Sequence, residues 1–197
     1  MEIHPALRHI TLITTGGTIE KTYDERSGEL TNRRSIVGRM VRRLRLEDTK
    51  VSTLELMSKD SLHLTDADRE RVVEAVRAAG AAGDSRCGTG VAFSPSHPLT
   101  LSPDGVVILH GTDTLTTTGE LILKELGASL RVPVILTGAM RPFEMTRSDA
   151  LQNLTESIFA AGILPPGVYC VAHGRALRFP GVAKDHERGT FVAGGGG

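Results

Sequence analysis

The sequence has no tryptophan, and its five phenylalanines and two tyrosines bring the aromatic share of 197 residues to only 4%. So few rings argue against a β-sandwich plugged by aromatic side chains. They suit instead a core of Val, Ile, Leu and Ala, the composition of a parallel sheet flanked by helices in an α/β domain. Cysteine is almost as scarce: Cys87 and Cys170 stand far apart and without metal-ligand spacing, so neither a disulfide framework nor a zinc knuckle is implied. Both thiols are expected to be reduced. Neither sign of charge is in excess, because 23 Lys and Arg balance 23 Asp and Glu. Nucleic acid and membrane surfaces are therefore poor partners, and a small or neutral ligand is a better one. No apolar run approaches the roughly 20 residues of a membrane helix, and Met1 to Leu7 lacks a basic stretch followed by an apolar one. The expectation is a cytoplasmic protein, with residues 1–197 read as a single domain around one core.

What is present is an alternation of strands and helices. His9 to Thr15 is apolar and β-branched and ends in Gly16-Gly17-Thr18, a buried strand stopping in a tight loop. Asn32 to Leu46 spaces Ile36, Val37, Met40, Val41 and Leu44 along one face of an amphipathic helix, with six arginines mostly on the others. Without interleaved aromatics that helix reads as solvated or subunit-facing rather than as a nucleic-acid surface. Val51 to Met57 is a second strand, and Thr65 then offers an N-cap with Asp66 and Asp68 in an acidic first turn. From about 80 to 104 the pattern dissolves into Gly, Ser, Pro and Ala, which predicts a flexible excursion. Gly105 to His110, Pro133 to Thr137 and Gly167 to Ala172 are three further strands. Between them lie a helix with Thr117 and Glu120 at capping-box spacing and another over about 147–161. Gly194 to Gly197 reads as a flexible tail.

Such an alternation makes right-handed crossovers, and ligands of the resulting sheets bind outside the carboxyl ends of the strands. That rule selects four loops: Thr15 to Tyr23, Ser58 to His63, Gly111 to Thr114 and Gly138 to Pro142. Their hydroxyl density is informative. Thr14, Thr15 and Thr18 surround a glycine pair, and Thr112 and Thr114 flank Asp113. A threonine hydroxyl becomes a nucleophile beside a base and a polarised carbonyl, and glycines let backbone N–H groups approach a developing oxyanion. Acyl transfer fits these parts, and β-branched residues favouring strand ends and turns are the bland competitor. A nucleotide loop is excluded by the absence of G-x-G-x-x-G and of G-x-x-x-x-G-K-[ST]. The seven histidines form no metal-binding pair, so no metal and no cofactor are expected.

Thr14-Thr15-Gly16-Gly17-Thr18-Ile19, His110-Gly111-Thr112-Asp113-Thr114, and Gly138-Ala139-Met140-Arg141-Pro142 with Ser148-Asp149 and Asn153-Leu154 closely resemble the bacterial-type L-asparaginase/glutaminase family. The resemblance covers essentially the whole chain and corresponds to the N-terminal domain of the asparaginase fold, without the C-terminal domain. It implies hydrolysis of L-asparagine through an acyl-threonine, with weak or no glutaminase activity. Catalytic roles fall on Thr18 as nucleophile, on Tyr23 as the lid tyrosine, and on Thr112, Asp113 and Lys184 as a second triad. Substrate binding falls on Gly17, Ser58, Lys59, Asp60, Gly111 and Ala139. Among these, Ser58 would hold the α-carboxylate and Asp113 the α-ammonium group, while the backbone of Gly111 and Ala139 would line the amide pocket. Charge-assisted hydrogen bonds of this kind suit a zwitterionic amino acid. The family also implies a homo-oligomer, dimer or tetramer.

Three departures from the family pattern stand out. Tyr23 lies closer to the Gly-Gly-Thr motif than the family's lid tyrosine, Lys59 replaces the usual glutamine and adds a positive charge, and the glutamate of the small domain is missing. They leave two alternatives open, a hydrolase of another short amide or D-amino-acid derivative and a non-catalytic amino-acid-binding module. A scaffold acting through the arginine-rich helix would instead make Arg39 and Arg42 matter and Thr18 not.

Overall fold

Side chains of successive strand residues point to opposite faces, so a run that is apolar throughout must be covered on both. The computed structural model, which describes residues 7–32, 35–83 and 102–194, shows this arrangement. The flexibility expected of most of 80–104 and of the glycine tail, Cys87, and the pair Arg33 and Arg34 lie outside the described residues. In chain order the elements are β1 (Arg8–Gly16), β2 (Thr22–Asp24), β3 (Glu29–Thr31), α1 (Val37–Val41), β4 (Thr49–Lys59), α2 (Asp66–Ala78) and β5 (Gly105–Leu109). They continue with α3 (Leu115–Leu126), β6 (Pro133–Thr137), α4 (Ala150–Ala161), β7 (Gly167–Ala172), β8 (Arg175–Arg178), β9 (Val182–Asp185) and β10 (Thr190–Ala193).

Six strands form one sheet in the order β4-β1-β5-β6-β7-β8, the first five parallel and β8 antiparallel to β7. Val106 and Ile108 of β5 pack into one apolar cluster with Val72 and Val76 of α2 and Ile122 and Leu126 of α3. Val107 and Leu109 pack on the other face with Met40 of α1 and Leu154 and Ile158 of α4. The chain passes from β1 outward to β4 and then back across β1 to β5, so the winding reverses between β1 and β5. That reversal opens a crevice at the carboxyl ends of these two strands.

Most of the expected alternation is present, with three differences. The helix expected over Asn32 to Leu46 is the short α1, because Gly38 and the β-branched Val37 and Val41 weaken it. The backbone tightens after it into turns in which Arg43 and Leu44 donate to the carbonyls of Met40 and Val41. Thr117 and Glu120 do not cap α3, which begins earlier, at Leu115. The hydroxyl of Thr114, at the N-cap position, donates to the Ser61 carbonyl, and Glu120 instead accepts from the Gly181 amide. The two hairpins β2–β3 and β9–β10 and the antiparallel β8 add to a pattern that the sequence suggested was purely parallel. In contrast, Thr65 and Asp68 form a reciprocal capping box at the start of α2.

Truncating Ile108, which is fully buried in β5, to alanine should lower stability by about 2–5 kcal/mol in urea denaturation. Phe159→Ala, on a ring 61% exposed, should change it by no more than about 0.5 kcal/mol.

Candidate active site

The crevice is built by backbone approaching backbone. Gly17 has φ +79°, and a Cβ there would stand 2.5 Å from the Gly111 nitrogen. Any other residue would push the loop after β1 away from the loop after β5. A Cβ on Gly111 would in turn stand 2.5 Å from Ser61 Cβ, and one on Gly138 would collide with the His110 carbonyl. Three strand ends and the turn after β4 thus meet at one point. Hydroxyls reinforce the junction: Thr15 Oγ1 donates to the Leu109 carbonyl at 3.0 Å and Thr137 Oγ1 to the Val171 carbonyl at 2.6 Å.

Within the first threonine cluster, Thr14 and Thr15 are buried and Thr18 is half-buried at the head of a short 3-10 turn. Access therefore falls on Thr18. Across the Gly17–Gly111 contact, the ammonium of Lys184 on β9 donates to Thr112 Oγ1 at 2.8 Å and to Asp113 Oδ1 at 2.6 Å. The Lys184 side chain is 13% exposed and that of Asp113 35%. A hydroxyl, an amine and a carboxylate from segments about seventy residues apart are thereby in mutual contact.

The turn after β4 is held by two more lysine–aspartate pairs. Asp60 accepts from Lys21 Nζ at 2.6 Å and from the Leu62 amide, and the Lys21 bond holds its carboxyl below the usual range. Lys59 Nζ lies 2.8 Å from both carboxylate oxygens of Asp68. This bond, with the Thr65 amide, pulls Asp68 down to about 2. The charge expected beside a substrate carboxylate is thus engaged by the cap of α2. Ser58 Oγ donates to the Asn32 carbonyl at 3.2 Å. The Asn32 amide, assigned with its nitrogen toward Gly17, donates to the Gly17 carbonyl at 2.9 Å. Tyr23 is 60% exposed on the hairpin β2–β3, and Ala139 is buried after β6.

Asn32, Lys21 and Asp68 were not among the residues selected from sequence. Only Asp68 had a signal, its capping-box spacing from Thr65; Asn32 and Lys21 act across a fold that no local pattern encodes. Behind the loop that carries Thr18, burial raises the Glu20 carboxyl, which accepts from Ser35 Oγ at 2.5 Å. His110 is fully buried, and because the Gly111 carbonyl can only accept, Nδ1 carries the proton and Nε2 accepts from Thr118. Among the described residues no group of three or more His, Cys, Asp or Glu side chains is placed to hold a metal ion. No helix among them is long and apolar enough to cross a membrane.

Residues 99–191 match the family model of the asparaginase N-terminal domain. The solved L-asparaginase of Thermococcus kodakarensis superposes with a TM-score of 0.70 at 25% identity, over 94% of this chain and 51% of that one. Residues 99–191 thus match the asparaginase N-terminal pattern, and the chain has the fold of that N-terminal domain. By sequence, the chain is 37% identical over 86 residues to the L-asparaginase of Thermococcus kodakarensis, 44% of the chain and 26% of that protein. It is 44% identical over 72 residues to a glutamyl-tRNA(Gln) amidotransferase subunit from Aeropyrum pernix, 36% of the chain and 17% of that protein. The chain thus spans about half of its solved relative, and the aligned segments about a quarter or less of these sequence relatives.

Burial holds the His110 imidazole down at about 4, against an ordinary 6.5, with the Arg69 charge adding to the effect and the Gly111 hydrogen bond opposing it. An NMR titration of the folded protein should give a midpoint near that value. Because the unfolded chain takes up this proton near pH 6.5 and the folded chain does not, the His110 contribution to stability is whole above about 6.5 and declines as pH falls toward 4. Denaturation at pH 7 and pH 5 reads the difference.

Proposed function

We propose that the asparaginase-type domain hydrolyses the side-chain amide of L-asparagine to L-aspartate and ammonia. The observation that supports this reading is the Lys184 ammonium bridging Thr112 and Asp113, on a loop whose Gly111 meets Gly17, the residue before Thr18. In this proposal Thr18 Oγ attacks the amide carbon and its proton passes to the leaving nitrogen, so the C–N bond breaks, ammonia departs and an acyl-threonine remains. Water then attacks the ester carbon, the ester C–O bond breaks, and the water proton is relayed through the Thr112 hydroxyl, held by Lys184, to Thr18 Oγ, so that aspartate leaves and the Thr18 hydroxyl is restored. Asp113 receives the substrate α-ammonium group and Ser58 its α-carboxylate. Gly17, Gly111 and Ala139 shape the amide pocket with backbone alone. Lys59 and Asp60 set the end of β4 that carries Ser58, through Asp68 and Lys21. Tyr23, exposed on its hairpin, takes part once that hairpin folds over Thr18.

L-Glutamine is the poorer substrate in this proposal, since one more methylene carries its amide past Thr18. A homo-oligomer is the proposed assembly and the cytoplasm the proposed compartment. The 44% identity to part of an amidotransferase supports a second reading, in which the same amide-cleaving step delivers ammonia to a partner protein.

Ammonia release from L-asparagine and L-glutamine by the purified protein tests both. Turnover should be at least about 10-fold slower on glutamine. Thr18→Ala, Thr112→Val and Lys184→Met should each lower kcat on asparagine by about 100-fold or more. Amino-acid binding without turnover would instead make the chain a binding module or a component that requires its partner.

A further inference from the structure

One imidazole joins the loop after β6 to the hairpin that carries Lys184. Asp149 accepts from the backbone amides of Met140 and Arg141, both at 3.0 Å, and so fixes the segment that follows Ala139. Asn153 holds the same segment from below, donating to the Gly138 carbonyl at 2.9 Å and to Asp149 Oδ2 at 2.9 Å, and it accepts from the His173 amide. His173 Nε2 lies 2.9 Å from Asp149 Oδ2, and its Nδ1 lies 2.9 Å from Thr190 Oγ1. Arg175 donates to that same hydroxyl oxygen at 2.7 Å, which leaves the Thr190 proton for His173 Nδ1 and places the ring proton on Nε2, facing Asp149. Every donor in the chain Thr190–His173–Asp149 then has an acceptor.

Thr190 begins β10, where it pairs with Asp185, and its neighbour Phe191 pairs with Lys184. The hairpin β9–β10 forms a separate two-stranded sheet, outside the ladder of the six-stranded one. The place of Lys184 therefore depends on side chains: Val182 and Phe191 bury the hairpin against the core, and the Thr190 hydroxyl adds a polar tie. The backbone of His173 is a second, independent sign. His173 and Gly174 form the two-residue turn between β7 and β8, with φ of +53° and +75°. Turns of this kind favour Asn-Gly, and histidine, which also tolerates positive φ, brings in addition a ring that reaches Asp149 and Thr190. A turn residue that makes two side-chain contacts across separate elements points to a role for those contacts.

We propose that His173 is a positioning residue which, through Thr190, sets the reach of the Lys184 amine to Thr112 and locks it to the loop that lines the amide pocket. It touches neither substrate nor reacting atoms. Its effect on turnover rests on the amide-hydrolysis proposal above, whereas its effect on Lys184 does not.

Three variants test it. Thr190→Val removes the hydroxyl at nearly constant volume, Thr190→Ser keeps it, and His173→Asn suits the positive φ but is too short to span Asp149 and Thr190. The readouts are kcat and KM for L-asparagine and the NMR resonance of the 15N-labelled Lys184 side-chain nitrogen, assigned with Lys184→Arg. Thr190→Val and His173→Asn should lower kcat by about 10- to 100-fold while KM changes by less than about threefold, and both should shift the Lys184 signal. Thr190→Ser should restore both. Unchanged kcat per folded molecule in Thr190→Val, or an unmoved Lys184 resonance, overturns the positioning role even if the melting temperature falls. If the parent releases no ammonia yet the Lys184 signal moves in Thr190→Val and returns in Thr190→Ser, the coupling stands and amide hydrolysis falls.

Discussion

The Gly17–Gly111 contact is the constraint on which the rest of the crevice depends. Two loops from neighbouring strands approach more closely there than any side chain permits, at the place where the winding of the sheet reverses. Thr18 and Thr112 are the residues that immediately follow these two glycines, so a contact between two bare backbones fixes the spacing of two hydroxyls. Ser61 and Gly138 close the remaining sides in the same way. Rigid strand ends below and hydrogen-bonded loops above give the site its shape before any charged side chain is placed.

Charge is then added in pairs. Lys21 with Asp60, Lys59 with Asp68 and Lys184 with Asp113 each join different segments around the crevice. The balance of 23 against 23 over the whole chain is repeated at this scale. A crevice whose charges are matched in this way offers little net field to draw in an anion or a cation.

Fold and site were not equally legible in the sequence. The strands at Pro133–Thr137 and Gly167–Ala172 could be placed to the residue because each is buried on both faces and bounded by turn residues. The hairpins could not. Their strands run only three or four residues, and their pairing depends on cross-chain register rather than on local periodicity. The apolar stripe over Asn32 to Leu46 suggested a long helix, but Gly38 and β-branched residues weaken it. At the candidate site, motifs and family resemblance singled out Thr18, Thr112, Asp113 and Lys184, of which the last three are in hydrogen-bond contact, whereas Lys59 looked like a free charge until its aspartate was found nine residues onward at the start of a helix. Spacing in sequence reveals which side chains are available; only the fold reveals which of them already have partners.

The six-stranded sheet is open, and its outermost strands are β4 and β8. An open edge presents unpaired amides and carbonyls to any strand of another molecule, which is the usual route to fibres. Lys50, Glu55 and Lys59 lie along β4, and β8 begins with Arg175 and ends with Arg178. Two copies meeting edge to edge through β8 would bring the exposed Arg178 of each alongside Arg175 of the other, which is already tied to Thr190, an arrangement opposed by electrostatic repulsion. The short, doubly basic β8 thus serves as a terminator, one that keeps a sheet of fixed width from becoming the first layer of a polymer.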